Sequence, residues 1–279
     1  MEIALVDGVR TRPAPGLHGS CQACGKEMIA KCGDLIVWHW AHKGRRVCDP
    51  WWENEGPWHR SWKALFPVEL HEQVQFAADG EKHVADVQLP DGLVVELQHS
   101  AMSLEEMRSR EDFYQRMIWI VDGAPFIKNL TIFDPLPDPA LSFVADLRFY
   151  GPHPQWRYNL AVRTMSYDNL MFYRESEKNP GDTMVHMESG RDLGVDFNAT
   201  HAGHFLFLWM KPREVWYQTT LPTFIDLGEG LLGRLMRYRP GVDQLWCLRI
   251  IVKDLLVRDL LKSAAEKAGV NPRLPSDYA

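Results

Sequence analysis

The sequence predicts a mixed α/β protein built on an α-β-β-β-α-β core, with a small Cys/His module before it and an α+β extension after it. Three observations carry this reading. Four of the five cysteines, at 21, 24, 32 and 48, crowd near the start of the 279-residue chain. Apolar and polar residues alternate with period two between His83 and Gln98. A helix-capping signature at Ser103 is followed by the wholly apolar run Met117-Ile-Trp-Ile-Val121, as expected of a central buried strand. The predicted organisation is 1–50 for an N-terminal strand and the Cys/His module, 51–135 for the core, and 136–279 for the extension.

The elements follow in order. Residues 1–20 read as a short strand and a lead-in broken by Pro13, Pro15 and Gly16, before the compact module at 21–48. Pro57 opens a helix to about Phe66, because proline is tolerated in a first turn. Val68 to Phe76 reads mostly as a strand, with Val68, Leu70, Val74 and Phe76 on one face. Strands around 82–89 and 93–99 flank Pro90-Asp91-Gly92, and Ser103-Leu-Glu-Glu106 caps a helix to about Met117. Pro135, Pro137 and Pro139 mark a boundary. Residues 175–204 are polar and Gly-rich, Phe205–Trp209 is a further strand, and Leu255 to Lys267 is an amphipathic helix stopped by Gly269.

Composition removes several classes. Hydrophobic residues make up 46% and charged residues 24%, which suits a folded domain large enough to bury its own core. No apolar run approaches the ~20 residues of a membrane span, and the first residues lack a signal-peptide pattern. The expected location is cytoplasmic, with no membrane partner. A net charge of −6 argues against a protein that coats nucleic acid by charge alone. It allows an enzyme that grips a few phosphates and reserves carboxylates for metal.

The hairpin carries the chemistry. Ala85, Val87, Leu89, Leu93, Val95 and Leu97 occupy odd positions, and Asp86, Gln88, Glu96 and Gln98 even ones. Only a three-residue loop at 90–92 keeps both sets on single faces, and Pro-Asp-Gly suits such a loop. Asp86 then opposes Glu96, with Gln98 one step along, on the polar, solvent-facing side of the sheet. Like charges so placed repel, so removing one should raise the unfolding midpoint in metal-free buffer. A divalent cation, Mg²⁺ or Mn²⁺, would turn the pair into a site.

The segments Cys21-Gln-Ala-Cys24-Gly and His39-Trp-Ala-His42 have metal-ligand spacing and predict a structural zinc knuckle. Cys21 and Cys24 would be joined by two of His39, His42 and Cys48. If Trp38–Ala41 is a strand, one histidine points away. Cys32 and Cys247 read as ordinary buried residues. Trp51, Trp52, Trp58 and Trp62 are expected to pack the module against the core, with base stacking as the lesser alternative. Glu55, His59 and Lys63 share one helical stripe, Glu55 as an added metal ligand and the other two near phosphate or water.

The order of elements and Asp86…Glu96-Leu-Gln98 resemble the PD-(D/E)XK nuclease superfamily, with Gln98 in the usual lysine place. More specifically, the chain resembles the competence protein CoiA-like nuclease family. The matching segments are those above together with Cys48-Asp-Pro-Trp-Trp-Glu-Asn-Glu55, Trp58-His-Arg-Ser-Trp-Lys63, Glu96-Leu-Gln-His-Ser100 and Ser109-Arg-Glu-Asp-Phe-Tyr114. The resemblance is dense over 21–122 and thin beyond. It implies a restriction-endonuclease-like core and metal-dependent hydrolysis of DNA phosphodiester bonds, in bacterial competence, recombination or defence. Asp86 and Glu96 would hold the metal, and Gln98 would orient water without supplying a cation, a charge that Lys63 or Lys82 would restore. Arg110, Lys82 and Arg60 are the candidate DNA contacts, Arg110 having Glu106 as its alternative partner. The rival readings are a zinc-containing DNA-binding module with a weak or silent site, and a partner-recruiting protein acting through residues 140–279, which could also mediate homo-oligomerisation.

Overall fold

The computed structural model of the chain describes residues 1–44, 48–51, 55–151, 170–190, 192–242 and 244–269. It divides into two compact units, one formed by residues 1–120 with 257–279 and the other by 121–256. The protein is a mixed α/β structure with large sheets.

The first unit opens with a five-stranded sheet. Its strands are β1 (Ala4–Val6), β2 (Val9–Thr11), β3 (His18–Ser20), β4 (Glu27–Lys31) and β5 (His39–His42), in the order β2-β1-β3-β4-β5. The stretch read as one strand and a lead-in thus folds into three short antiparallel strands. Buried Met28, Trp40, Cys21 and Cys48 form the core of this module, and Val74 and Val84 pack against it.

Next come α1 (Pro57–Lys63), β6 (His71–Phe76), β7 (Lys82–Gln88), β8 (Val94–Gln98), α2 (Leu104–Tyr114) and β9 (Met117–Asp122). This is the α-β-β-β-α-β order of the sequence, with a single 3₁₀ turn at Val68–Leu70 where the strand was expected to begin. Ser103 Oγ accepts the Glu106 N–H at 3.0 Å, as the capping signature requires. The helix ends three residues earlier than expected because Gln115 adopts φ 55°, outside the helical region. Strands β9, β8, β7 and β6 lie side by side in that order, and every residue of β9 is buried.

The β7–β8 register pairs Val87 with Val95 and Gln88 with Val94. The Leu89 N–H donates to the Leu93 carbonyl at 2.8 Å, and Gly92 takes φ 84° in the loop. The three-residue loop and the opposition of Asp86 and Glu96 are therefore present. One expectation is corrected here. All five residues of β8 are buried, so the polar face of the hairpin is not solvent-facing. Helix α1 packs over β8 and covers that face.

In the second unit β10 (Leu130–Pro135), β14 (His204–Trp209), β15 (Thr223–Gly228), β16 (Leu231–Arg237) and β17 (Trp246–Val252) pair in the order β10-β14-β17-β16-β15. A second small sheet joins β11 (Leu147–Phe149), β12 (Met171–Arg174) and β13 (Glu188–Ser189). Leu136, Leu147, Phe172, Leu206 and Cys247 are among the residues of its core. The last described helix runs from Lys253 to Ala268, and Gly269 at φ 67° ends it. No helix among the described residues is long and apolar enough to cross a membrane.

Candidate functional site

Two constellations stand out in the first unit. The first is the cysteine cluster. Cys21 and Cys24 lie on a tight turn in which the Gly25 N–H returns to the Cys21 carbonyl at 2.8 Å, with Gly25 at φ 70°. The ligand atoms of Cys21, Cys24, His42 and Cys48 all lie within 4.8 Å of one another. Cys21 Sγ is 4.0 Å from Cys48 Sγ, and Cys24 Sγ is 3.4 Å from His42 Nε2. A tetrahedral zinc ion with Zn–S near 2.3 Å and Zn–N near 2.0 Å spaces its ligands by roughly 3.5–3.8 Å. Cys₃His is a common zinc donor set, and this cluster could hold that ion. His39 takes no part. It stands three residues from His42 in β5, so the two side chains leave opposite faces of the strand, and His39 Nδ1 lies 2.9 Å from the Val37 carbonyl. Cys32 is half-buried and Cys247 buried, and neither belongs to this cluster's donor set.

The second constellation surrounds Asp86. A cavity of about 40 Å³ is lined by residues including Cys48, Glu55, His59, Glu72, Asp86, Glu96, Gln98 and Arg110. That volume holds an ion and a few waters rather than a nucleotide. The backbone ladder between β7 and β8 gives way at this point to side-chain acceptors. The Asp86 N–H donates to Glu96 Oε1 at 3.3 Å, and the Leu97 N–H to Asp86 Oδ2 at 2.9 Å. His59 Nε2 meets Asp86 Oδ1 at 2.9 Å. Arg110 directs Nη1 to Glu96 Oε2 at 3.3 Å and lies 3.5 Å from Gln98 Oε1.

Electrostatics push the two carboxylates apart. Burial and the charge of Asp86 lift Glu96 to about 8, against the pull of Arg110. Burial would also raise Asp86, but the His59 charge and hydrogen bond, with Lys63 beyond, outweigh it and lower the group. His59 is raised in turn, because Asp86 and Glu55 overcome the effect of its own burial. In the absence of metal the pair thus holds a proton on Glu96 and a charge on Asp86.

Lys63 is the largest departure from the sequence reading. Only 1% exposed, its Nζ lies 3.0 Å from Glu55, 3.2 Å from Glu72 and 3.6 Å from Glu2. It is a counter-ion inside a carboxylate cage, where it is not presented to phosphate. Burial raises the Glu55 carboxyl, with Lys63 opposing. Arg110 is 4% exposed and bonds Glu106 at 2.6 Å as well as Glu96, so it faces inward rather than towards a DNA backbone. Arg60 caps the Glu55 carbonyl. Lys82 starts β7, about 13 Å along the strand from Asp86. Neither lines the cavity.

Sequence reasoning missed the roles of Glu72 and Asp49. The β6–β7 register, His71 with Val87 and Gln73 with Ala85, places Glu72 opposite Asp86 on the other side from Glu96. Glu72 is 3% exposed, adopts φ 46°, and accepts the backbone N–H groups of Glu2 and Ile3 at 2.7 and 2.8 Å. A buried glutamate in a left-handed conformation is held there by its surroundings. The signal for it was present as an acidic gap in the otherwise apolar stripe Val68-Leu70-Val74-Phe76. Of the tryptophans, Trp62 is buried, Trp51 stacks on His83, and Trp52 lies outside the described residues. No family model, curated protein or solved structure matches the chain.

Proposed function

We propose that the protein is a divalent-cation-dependent nuclease that hydrolyses DNA phosphodiester bonds, built on a PD-(D/E)XK-like core and braced by a zinc cluster, as its resemblance to the CoiA-like family implies. The observation that carries the reading is the opposition of Asp86 and Glu96 across β7–β8 in one cavity with His59 and Gln98. The donor set suits a hard cation. Asp86, Glu96 and the Gln98 carbonyl offer oxygen atoms only, and each oxygen keeps a second lone pair beyond its present hydrogen bond. Asp86 and Glu96 would hold Mg²⁺ or Mn²⁺, which supplies charge neutralisation at the scissile phosphate and a bound water of lowered pKa.

The protein's own groups do the rest. His59, its pKa raised by the neighbouring Asp86 carboxylate against its own burial, orients that carboxylate through Nε2. Gln98 fixes the water through its amide. Arg110 holds Glu96 in place, and Lys63 offsets the charge of the buried glutamates beside the cavity.

A plasmid and oligonucleotide cleavage assay with Mg²⁺, Mn²⁺ and EDTA tests the reading. Cleavage by the parent protein that vanishes in EDTA and in Asp86→Ala supports it; cleavage by Asp86→Ala at the parent rate overturns it. The pairing of Arg110 with Glu96 favours one rival, a DNA-binding module with a silent site. That reading expects DNA binding independent of Mg²⁺ and unchanged in Asp86→Ala.

A further inference from the structure

The segment Cys48–Trp51 belongs to both constellations. Cys48 supplies a thiol to the cysteine cluster and also lines the carboxylate cavity. Asp49 follows directly. Its Oδ2 accepts the Val84 N–H at 2.9 Å, and its Oδ1 meets His83 Nδ1 and the Trp51 N–H, each at 3.0 Å. Asp49 thereby pins β7 two residues before Asp86. Trp51 lies flat on the His83 ring, centroids 3.2 Å apart and planes 10° from parallel. Its carbonyl accepts Arg110 Nη2 at 2.9 Å, and the Arg110 guanidinium sits 5.5 Å from its ring centroid. The other end of that guanidinium bonds Glu96. A continuous chain of contacts therefore runs from a cluster ligand to a carboxylate of the cavity.

We propose that closure of the Cys/His cluster by zinc sets the divalent-cation affinity of the carboxylate cavity, with Asp49 and Trp51 as positioning residues that carry the effect to Arg110 and Glu96. The inference rests on the reading of Asp86 and Glu96 as a cation site. The physical reason is local. Cys48 is one short step from Asp49, and the four-residue segment contains no helix or strand hydrogen bonds of its own. A thiolate bond to zinc fixes one end of it, and the contacts with His83, Val84 and Arg110 fix the other. Released at Cys48, the segment is held at one end only, by polar contacts worth about 1 kcal/mol each and by the Trp51 ring on His83, and the aromatic and carbonyl support of Arg110 is loosened. Coupling between two sites is reciprocal and commonly amounts to ~5–150-fold in affinity.

The probe is Mn²⁺, whose low place in the divalent affinity series keeps it out of the thiolate cluster. Its affinity is measured by titration calorimetry or electron paramagnetic resonance on zinc-loaded and chelator-stripped protein, with circular dichroism to confirm folding. Zinc removal should weaken Mn²⁺ binding about tenfold or more. Trp51→Ala, still holding one equivalent of zinc, should show the same weakening, and stripping its zinc should add nothing further. Trp51→Phe should restore most of the affinity. A merely structural tryptophan would leave the zinc dependence in place. Folded, stripped parent protein that binds Mn²⁺ as tightly as the loaded form overturns the proposal. If stripping unfolds the chain, parent-like Mn²⁺ affinity in zinc-loaded Trp51→Ala overturns it. Loaded parent protein whose Mn²⁺ binding matches that of Asp86→Ala overturns both this proposal and the nuclease reading. Zinc-independent binding that Asp86→Ala removes overturns this one alone.

Discussion

Asp86 and Glu96 face each other across β7 and β8, and each side chain accepts a backbone N–H from the other's strand. Two strands that would exchange backbone hydrogen bonds at this position exchange them through carboxylates instead. The consequence is rigidity. Neither carboxylate can rotate away from the other without stranding a buried N–H, at a cost of about 1–3 kcal/mol. The repulsion between them is accommodated by protonation of Glu96, by His59 and by Arg110.

Asp86→Ala should lower stability. Charge repulsion alone predicts the opposite, and that was the expectation for a solvent-facing pair. In the structure Asp86 is the partner of buried His59 and of the Leu97 N–H, so its removal strands two donors. A loss of about 2–4 kcal/mol in urea unfolding is expected, together with a fall in the His59 pKa followed by NMR.

Glu96→Gln should have a pH-dependent effect of a definite sign. The Glu96 carboxyl is raised from 4.5 to about 8 in the folded protein. Its neutral form therefore contributes stability that is fully present below 4.5, declines as the unfolded chain ionises, and is gone above about 8. Glutamine stays neutral throughout. In buffer without added divalent cation, the variant should melt close to the parent at pH 4.5 and clearly above it at pH 8.5. Parallel melting curves across that range would show that Glu96 does not titrate as described.

Cleavage should follow the same ionisation. Cation binding requires Glu96 without its proton, so the Mg²⁺ concentration giving half-maximal cleavage should fall as pH rises from 6.5 to 8.5. Glu96→Gln should abolish cleavage at every pH.

Lys63→Met should be among the most damaging single changes in the first unit. It leaves Glu2, Glu55 and Glu72 facing each other without the cation between them. Removing one partner of a buried ionic group costs about 3–5 kcal/mol, read as a shift in denaturant midpoint. A phosphate-contacting lysine would instead leave the midpoint unchanged and weaken DNA binding.

Zinc should be held by one histidine only. Metal analysis of protein purified without chelator should find one equivalent in the parent and in His39→Ala, and a large loss in His42→Ala. Retention of zinc by His42→Ala would remove that imidazole from the ligand set.

Much of this was legible in the sequence, for identifiable reasons. The period-two alternation and the Pro90-Asp91-Gly92 loop together permit one register, and the Asp86–Glu96 opposition follows from it. The Cys/His spacing named Cys21 and Cys24 and left two of His39, His42 and Cys48 to join them, and strand parity discriminates His42 from His39 once β5 is drawn. Burial was not legible. Alternation says which residues share a face but not what lies over that face, and α1 supplies the cover through His59, Trp62 and Lys63. Lys63 and Arg110 were misjudged for that reason: a cation on a helical stripe reads the same whether it faces solvent or a ring of carboxylates. Glu72 was missed because its role depends on the β6–β7 register and on a positive φ, and the acidic gap that it leaves in the apolar stripe carries neither.

The parity of β5 has a consequence for how the chain reaches its fold. The hairpin β4–β5 pairs Met28 with His42 and Lys31 with His39, and this alignment keeps Met28 and Trp40 together on the buried face. A slip of one residue would turn His42 outwards and swing His39 towards the cysteines from the wrong end. The alignment present brings the His42 imidazole within reach of Cys21, Cys24 and Cys48 together. A metal ion held by all four groups would therefore add its binding energy to this alignment alone, and favour it over a slipped one.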